Sequence, residues 1–423
     1  MKVLWMVTAL LPQIARLTGE PEQPFGGWLV STLDGLLAND QNEVLVCYRA
    51  GAPQRRGSSG RLAYCSFEQE VLRYSPENEA LFSELLREFL PDVVHVWGTE
   101  YPSALAMIRA AQRERMLART VVSIQGLTSI YAWHYTAGLP ERVVRANTLR
   151  DLIRRDNIRR QREKFVVRGA FETAALQSAK HVIGRTRWDK ACVRQINPNA
   201  AYHFCNESLR EPFYEGGWTP LACERHTIFV SQGDYPIKGL HKALAALVYL
   251  IKDYPDVKLI TTGKDPREKS IWKRLLQSSY ARYLARVIRA WGLDANVEFL
   301  GSLSAEGMKR QYLRAHVALN PSSIENSSNA VCEAMLLGAP VVASYVGGTP
   351  DLIEDGVSGL LYPFDAPYQL ADALRQVFDS DELALWLSEN ARRAAAARHD
   401  REQNMKDLMA IYRDLAAAPE KEE

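Results

Sequence analysis

Along the chain, short runs of consecutive apolar residues alternate with longer stretches in which apolar positions recur every three or four residues. The runs predict strands at Val3–Thr8, Glu43–Tyr48, Asp92–Trp97, Thr120–Ile124 and His181–Gly184. A second series follows at Thr227–Ser231, Val257–Thr262, Val297–Gly301, Val317–Asn320, Val341–Ser344 and Gly359–Tyr362. The stretches between them predict helices; Leu240, Leu244, Leu247 and Ile251, for instance, fall on one helical face. Strands that are apolar throughout are covered on both faces, as in parallel sheets wrapped by helices. The expected fold class is therefore α/β, with two doubly wound, Rossmann-like parallel-sheet domains. Glu207–Arg225, between the two series, has two prolines, a Gly-Gly pair and no periodicity, and reads as a linker. The expected organisation is a first domain over 1–208, a linker over 209–226, a second domain over 227–395, and a C-terminal helix over 396–423 that crosses back to the first domain. The tail from Ala384 to Ala418 reads as long and helical.

Composition adds exclusions more than assignments. The 423 residues are 47% hydrophobic and 24% charged, ordinary values for a globular chain with ample core. A formal net charge of +2 supplies no field for nucleic acid. No apolar run reaches the roughly 18–20 residues that span a bilayer. Lys2 and the apolar residues after it imitate a signal peptide, but the run ends at Pro12 without a small-x-small site and reads as a buried strand. The six cysteines form no C-x-x-C pair, so reduced thiols and the cytoplasm are expected. One segment departs from the balance: Glu141–Arg168 holds ten Lys/Arg against four acids. It reads as a basic amphipathic helix. Either it is a solvated face with i,i+4 pairs, or Arg154, Arg155, Arg159 and Arg160 form a surface for anionic head groups or a pyrophosphate-bearing acceptor.

Doubly wound domains hold ligands outside the carboxyl ends of their strands, so the residues just past each strand are the ones to inspect. Gly26-Gly27 opens a helix after the first strand, where backbone N–H groups could meet a phosphate or sugar, although a plain tight turn reads the same way. No G-x-G-x-x-G accompanies it, which argues against a dinucleotide-binding dehydrogenase. Lys238-Gly239 follows the strand Thr227–Ser231 and is placed to neutralise a departing diphosphate, or to be a solvated loop lysine. After Val317–Asn320 comes IENSSNAVCEAMLLGAP. Ser327 or Ser328 would cap a helix through Asn329–Leu337, and Gly338 with Pro340 would stop it. Glu325 lies just outside this helix start and Glu333 one to two turns in. A carboxylate accepts from two donors at once, which suits pairs of sugar hydroxyls on either side of an anion seated at the helix end. Gly347-Gly348 with Thr349-Pro350 marks a further permissive helix start.

These residues resemble the retaining glycosyltransferases of family 4, which have the two-domain GT-B fold. Glu325 and Glu333 fit the family's E-x7-E pattern, the downstream GG-x-P and the Lys238-Gly239 pair accompany it, and the likeness is strongest from Thr227 to about Leu374. IQGLTSIYAWHYTAGLP and the basic segment after it resemble bacterial members associated with surface polysaccharide assembly. The resemblance implies transfer of a sugar from a nucleotide-diphosphate donor, UDP- or GDP-linked, to a hydroxyl acceptor with retention, in capsule, exopolysaccharide or lipopolysaccharide biosynthesis. It implies no divalent metal, and Asp379-Ser380-Asp381 reads as a helix cap. Glu325 would hold the transferred sugar and Glu333 the ribose. Lys238, Ser231, Gln232, Gly301, Ser327, Ser328 and Asn329, with Gly26 and Gly27 from the other domain, would line the donor, and His95, Gln125 and Gly126 would meet the sugar or acceptor. The implied acceptor is lipid-linked or a growing polysaccharide at the inner face of the cytoplasmic membrane, to which the protein would attach peripherally. Three positions depart from the family: Gln232 stands where members usually carry a second diphosphate cation, Gln125 where many have histidine, and Asn326-Ser327-Ser328 where Gly-Phe-Gly is usual. Those departures keep two other readings open: a catalytically silent nucleotide-sugar-binding or partner scaffold, and a GT-B sugar-nucleotide epimerase or sugar-phosphate-accepting synthase.

Overall fold

The computed structural model describes residues 1–21, 27–51, 54–68, 70–268, 270, 272 and 275–418. The chain divides into two compact units: Met1–Ile130 with Phe165–Ser208 and His399–Glu423, and Tyr131–Lys164 with Leu209–Arg398. Both are parallel-sheet α/β units.

In unit 1 the strands are β1 (Lys2–Val7), β2 (Glu43–Ala50), β3 (Arg56–Ser59), β4 (Leu62–Glu68), β5 (Val93–Trp97), β6 (Thr120–Ser123), β7 (His181–Gly184) and β8 (Ala201–Phe204). They are ordered β3-β4-β2-β1-β5-β6-β7-β8, and only the β3–β4 pair is antiparallel. Side chains alternate across a strand, so β1 feeds both faces. Leu4 and Met6 join one core with Val94 and Val96, while Val3, Trp5 and Val7 join another with Leu408, Ile411, Tyr412 and Leu415. The last four lie on the helix Arg401–Ala416, which closes that face. Strands β3, β4 and β8 escaped the apolar pattern because β3 and β8 bury no residue and β4 is only partly buried.

His95, expected at a sugar or acceptor, instead lies inside unit 1 with no exposed surface. Its Nδ1 is 2.6 Å from Tyr412 Oη and its Nε2 is 2.6 Å from Ser123 Oγ. The ring stacks on Trp97 at 3.8 Å, and Trp5 Nε1 donates to Tyr412 Oη at 3.0 Å. Both ring nitrogens are thus engaged, Nδ1 tying the last helix to the sheet and Nε2 joining β5 to β6.

In unit 2 the strands are β9 (Glu224–Val230), β10 (Lys258–Thr261), β11 (Val297–Phe299), β12 (Ala315–Asn320), β13 (Val341–Ser344) and β14 (Leu360–Tyr362). They are all parallel and ordered β11-β10-β9-β12-β13-β14. The chain moves outward from β9 to β11 and then returns to lay β12 on the other side of β9. The switch point therefore lies between β9 and β12, where a doubly wound sheet opens a crevice at its carboxyl edge.

Four expectations about helices, domain bounds and linker differ from the structure. The basic segment is not one helix. It forms Glu141–Val144, Leu149–Arg154 and the start of Ile158–Ser178, because Thr148 and Asp151 make a capping box and Arg155 adopts a φ of 48°. Tyr131–Lys164 also clusters with unit 2, although it was read as part of a first domain over 1–208. The stretch read as a linker packs onto unit 2 through Phe213 and Trp218, both buried. There Trp218 Nε1 donates to Ala315 O at 2.7 Å and its backbone N–H to Leu337 O at 2.8 Å. The helical tail is broken into Asp381–Arg398 and Arg401–Ala416, the second capped by Asp400. Its last helix clusters with unit 1. Among the described residues, no helix is long and apolar enough to cross a membrane.

Removing the Tyr412 hydroxyl leaves His95 Nδ1 and Trp5 Nε1 without that partner in a dry interior. Tyr412→Phe is expected to lower the unfolding free energy by about 1–3 kcal/mol, read by urea titration. Burial also holds His95 well below the usual histidine range. The unfolded chain takes up that proton first, so this histidine's contribution to stability is lost as pH falls through about 6.5.

Candidate functional site

Three loops at the carboxyl edge of the unit 2 sheet are joined by backbone contact. After β9, the turn Pro236–Lys238 ends at Gly239, whose φ is 70°. A Cβ there would lie 1.8 Å from Pro321 O, in the loop after β12, so only glycine lets the two backbones meet. Ser323 seals the contact, its N–H donating to Ile237 O at 2.8 Å and its hydroxyl to the same oxygen at 3.2 Å. After β13, Gly347 has a φ of 51°, and a Cβ there would lie 2.0 Å from Glu325 O. Gly348 N–H donates to that oxygen at 2.9 Å. The Lys-Gly and Gly-Gly pairs thus meet the loop that carries Glu325.

Glu325 is 6% exposed. Its Oε1 accepts from Lys238 Nζ and from Ser322 Oγ, both at 2.6 Å. The two residues singled out for catalysis are therefore in direct contact. The helix Asn329–Leu337 starts one loop further on, with Ser328 at its N-cap. Ser328's hydroxyl accepts from Asn320 Nδ2 at 3.1 Å and makes no capping bond to the helix. The first helical N–H groups consequently lack the side-chain acceptor that usually satisfies them, and an anion could take that place. Ser327 is buried and Asn329 half-buried beside this start.

Glu333 lies in this helix at 3% exposure. Burial raises its carboxyl pKa, and Arg210 opposes that rise. Arg210 Nε and Nη2 each donate to one Glu333 oxygen at 2.7 Å. Gly301 lies just past β11 with a φ of 72°, bonded both ways to Gly263, and a Cβ there would meet nothing within 4 Å. Ser231 and Gln232 are half-buried after β9, and Ser231 O accepts from Thr262 Oγ1 at 2.5 Å.

In unit 1, Gly26 lies outside the described residues, and Gly27 begins the helix Gly27–Ala38. Gln125 is committed to its own unit: its amide nitrogen donates to Glu207 Oε1 at 2.5 Å, and its oxygen accepts from Arg185 Nη2 at 3.2 Å. Arg185 Nη1 closes the triangle on Glu207 Oε2 at 2.6 Å. Gly126 N–H donates to Glu100, whose carboxyl is pushed up to about 7, chiefly by loss of solvent, with nearby Glu172 adding to the rise. Glu100 lies just past β5, beside Gly98, where a Cβ would come 2.4 Å from its Oε2.

Arg154, Arg155, Arg159 and Arg160 are exposed on unit 2, and Arg159 pairs with Glu163 at 3.0 Å. Leu149, Leu152 and Ile153, on one face of the short helix, are 47%, 58% and 69% exposed beside them. Arg210 and Glu100 escaped sequence reasoning. The first sat in a stretch without periodicity, and the second could have been found as the first carboxylate past its strand.

Residues 224–380 match the family described as glycosyl transferases group 1. A D-inositol 3-phosphate glycosyltransferase of Corynebacterium urealyticum is 31% identical over 186 residues, 44% of this chain and 42% of that protein. An alpha-D-kanosaminyltransferase of Streptomyces kanamyceticus is 27% identical over 178 residues, 42% of this chain and 43% of that protein. These alignments thus span about two-fifths of the relatives' lengths. Sucrose-phosphate synthase from Thermosynechococcus elongatus superposes with a TM-score of 0.70 at 17% identity, covering 99% of this chain and all of that one. Anabaena HepE, solved in complex with UDP-glucose, gives 0.65 at 17% identity over 98% of this chain and all of that one. The fold is the GT-B fold.

Ionising a desolvated carboxyl costs stability only where the folded protein must carry the charge. Glu100 binds its proton up to about pH 7 in the fold, against a value of 4.5 when exposed. Its presence therefore weakens unit 1 progressively as pH rises from about 4.5 to 7, and constantly above that. Glu100→Gln should raise the melting temperature at pH 8 and leave it nearly unchanged at pH 4, as followed by circular dichroism.

Proposed function

We propose that this chain, whose residues 224–380 form a group 1 glycosyltransferase domain, transfers a sugar from a nucleoside-diphosphate sugar to a hydroxyl acceptor. The observation that carries the reading is the junction of three loops at the switch point of unit 2. It brings Glu325, Lys238 and an uncapped helix start to the place where such sheets take ligands. The diphosphate would lie on the N–H groups at Ser328–Ala330 and on Lys238, with no divalent cation needed to balance it. Glu325 would hold hydroxyls of the transferred sugar, and Glu333 those of the ribose.

In the transfer, the bond from the anomeric carbon to the phosphate oxygen breaks and the electron pair leaves with the diphosphate. The acceptor oxygen bonds to the anomeric carbon, and its proton passes to the departing phosphate. This chemistry needs no enzyme nucleophile, is compatible with retention, and leaves the protein to position the partners and stabilise charge. Lys238 has three N–H donors and uses one on Glu325, so the same ammonium can serve both sugar carboxylate and phosphate.

The acceptor is proposed to be a lipid-linked saccharide or growing polysaccharide at the inner face of the cytoplasmic membrane. The exposed Leu149, Leu152 and Ile153 among surface arginines support that choice, because apolar insertion and basic charge together bind anionic interfaces.

The central test incubates the purified protein with UDP-, GDP- and ADP-sugars and saccharide acceptors, in the presence of EDTA, and follows nucleoside diphosphate release with product analysis. Turnover in at least one pairing is expected. Glu325→Ala should cut it by about 10²-fold or more while leaving nucleotide affinity within a few-fold. Binding without turnover would instead mark a silent scaffold, and an epimerised or phosphorylated sugar product would mark the epimerase or synthase reading. For the membrane, flotation with phosphatidylglycerol vesicles should recover the protein. Replacing Arg154, Arg155, Arg159 and Arg160 with glutamine should weaken that recovery by about 10³-fold in partition constant, at roughly 1 kcal/mol per charge. Equal flotation of both proteins would refute the surface.

A further inference from the structure

Arg210 lies at the start of the short turn Glu211–Tyr214, outside the helix that carries Glu333. Its guanidinium is over the Phe213 ring, 4.8 Å from the centroid. Phe213 is 1% exposed and meets Tyr312 edge-on at 6.2 Å. Tyr312 in turn donates to Ala330 O at 3.0 Å, in the first turn of the same helix. The Trp218 bonds to Ala315 and Leu337 hold the rest of the segment against unit 2. The arginine is thus delivered by a rigid platform, and its two parallel bonds at 2.7 Å fix the carboxylate in plane as well as in position.

As a packing device the pair is poorly explained. Taking two charges out of water costs about as much as their attraction returns, and apolar side chains of similar size would fill the space as well. The bidentate bond uses one acceptor direction on each Glu333 oxygen. A carboxylate has roughly four such directions, so one on each oxygen is left over. Two adjacent acceptors, held in one plane and paired with a guanidinium, are the complement of a vicinal diol.

We infer that Arg210 is the positioning residue for nucleotide recognition: it fixes the plane of the Glu333 carboxylate and supplies its counter-charge, so that the two remaining acceptor directions select a ribose carrying both its 2′ and 3′ hydroxyls. The inference rests on the proposed role of Glu333 toward the ribose. It adds the origin of that carboxylate's geometry and charge, and a consequence for which sugars the nucleotide can carry. Without the guanidinium, burial would drive the carboxyl toward its protonated form, with a donor hydrogen where an acceptor is needed.

The test is calorimetric titration of the intact chain with UDP, GDP and their 2′-deoxy counterparts between pH 6 and 9. The wild type should bind at least one ribonucleotide about tenfold or more tightly over its deoxy form, with a ratio independent of pH. In Arg210→Met the ratio should fall toward one at pH 6 and recover as pH rises, whereas Arg210→Lys should retain part of it. Glu333→Gln should abolish the preference. Adding Arg210→Met to Glu333→Gln should change the ratio no further, since the arginine acts through the carboxylate. That double variant leaves no unpaired buried carboxylate, so it keeps the test open if Arg210→Met alone does not fold. An unchanged, pH-independent ratio in Arg210→Met, or equal weakening of ribo and deoxy forms, would overturn the inference while leaving the proposed function standing. So would a further change of ratio in the double variant. Failure of the wild type to bind any of the four nucleotides would overturn both.

Discussion

The junction of loops around Glu325 depends on two places where backbones touch with no room for a Cβ. Gly239 allows the turn after β9 to rest on Pro321, and Gly347 allows the turn after β13 to rest on Glu325. Parallel strands lie nearly 5 Å apart, and the loops at their ends would ordinarily keep a side chain's thickness between them. Removing that thickness draws three loops together around Glu325. Ser323, Ser344 and Gly348 then complete hydrogen bonds that longer separations would leave to water. The positive φ at both glycines belongs to the same arrangement, since the chain must turn sharply to make the approach.

The second theme is the pairing of acids that are drawn out of water. Glu325 has Lys238 and Ser322, Glu333 has Arg210, and in unit 1 Glu207 has Arg185 and Gln125. Glu172 is satisfied without a cation, through backbone and hydroxyl donors of Thr128 and Ser129 and the hydroxyl of Thr99. Glu100 shares with Glu172, Glu207 and Glu333 a desolvation that its donors offset only in part, so that its ionisation is displaced toward neutrality. A partly compensated carboxyl past a parallel strand is a common preparation for ligand contact, although structural networks produce such shifts too.

What was legible in the chain was whatever depends on local order. Apolar runs separated by helical periodicity gave the two sheets, and the spacing of Glu325, Glu333, Lys238-Gly239 and Gly347-Gly348 marked the loops that meet. What escaped were contacts between residues far apart in sequence. Arg210 reaches Glu333 across 123 residues, and His95 reaches Tyr412 across 317. A histidine on an apolar strand reads alike whether its partners are ligand or core. The basic segment failed for a different reason: periodicity counts apolar positions and is blind to where a helix is cut. The cut lies in Thr148 with Asp151, and in the left-handed turn at Arg155. A capping signal four residues long outweighed a charge pattern of nearly thirty.

The contacts at Gly239 and Gly347 also separate two kinds of evolutionary freedom. The close approaches around Glu325 are made by main chain against main chain, so they make no demand on the identity of Ser327 or Gln232 beyond fitting the space beside them. Those side chains can drift and be tested against new donors while the scaffold holds its shape. Among the departures from the usual family residues, Gln232 and Ser327 lie beside this frame, and the glycines themselves have no comparable latitude. Diversification of substrate within this architecture would then proceed by exchanging side chains around an inflexible knot of backbone.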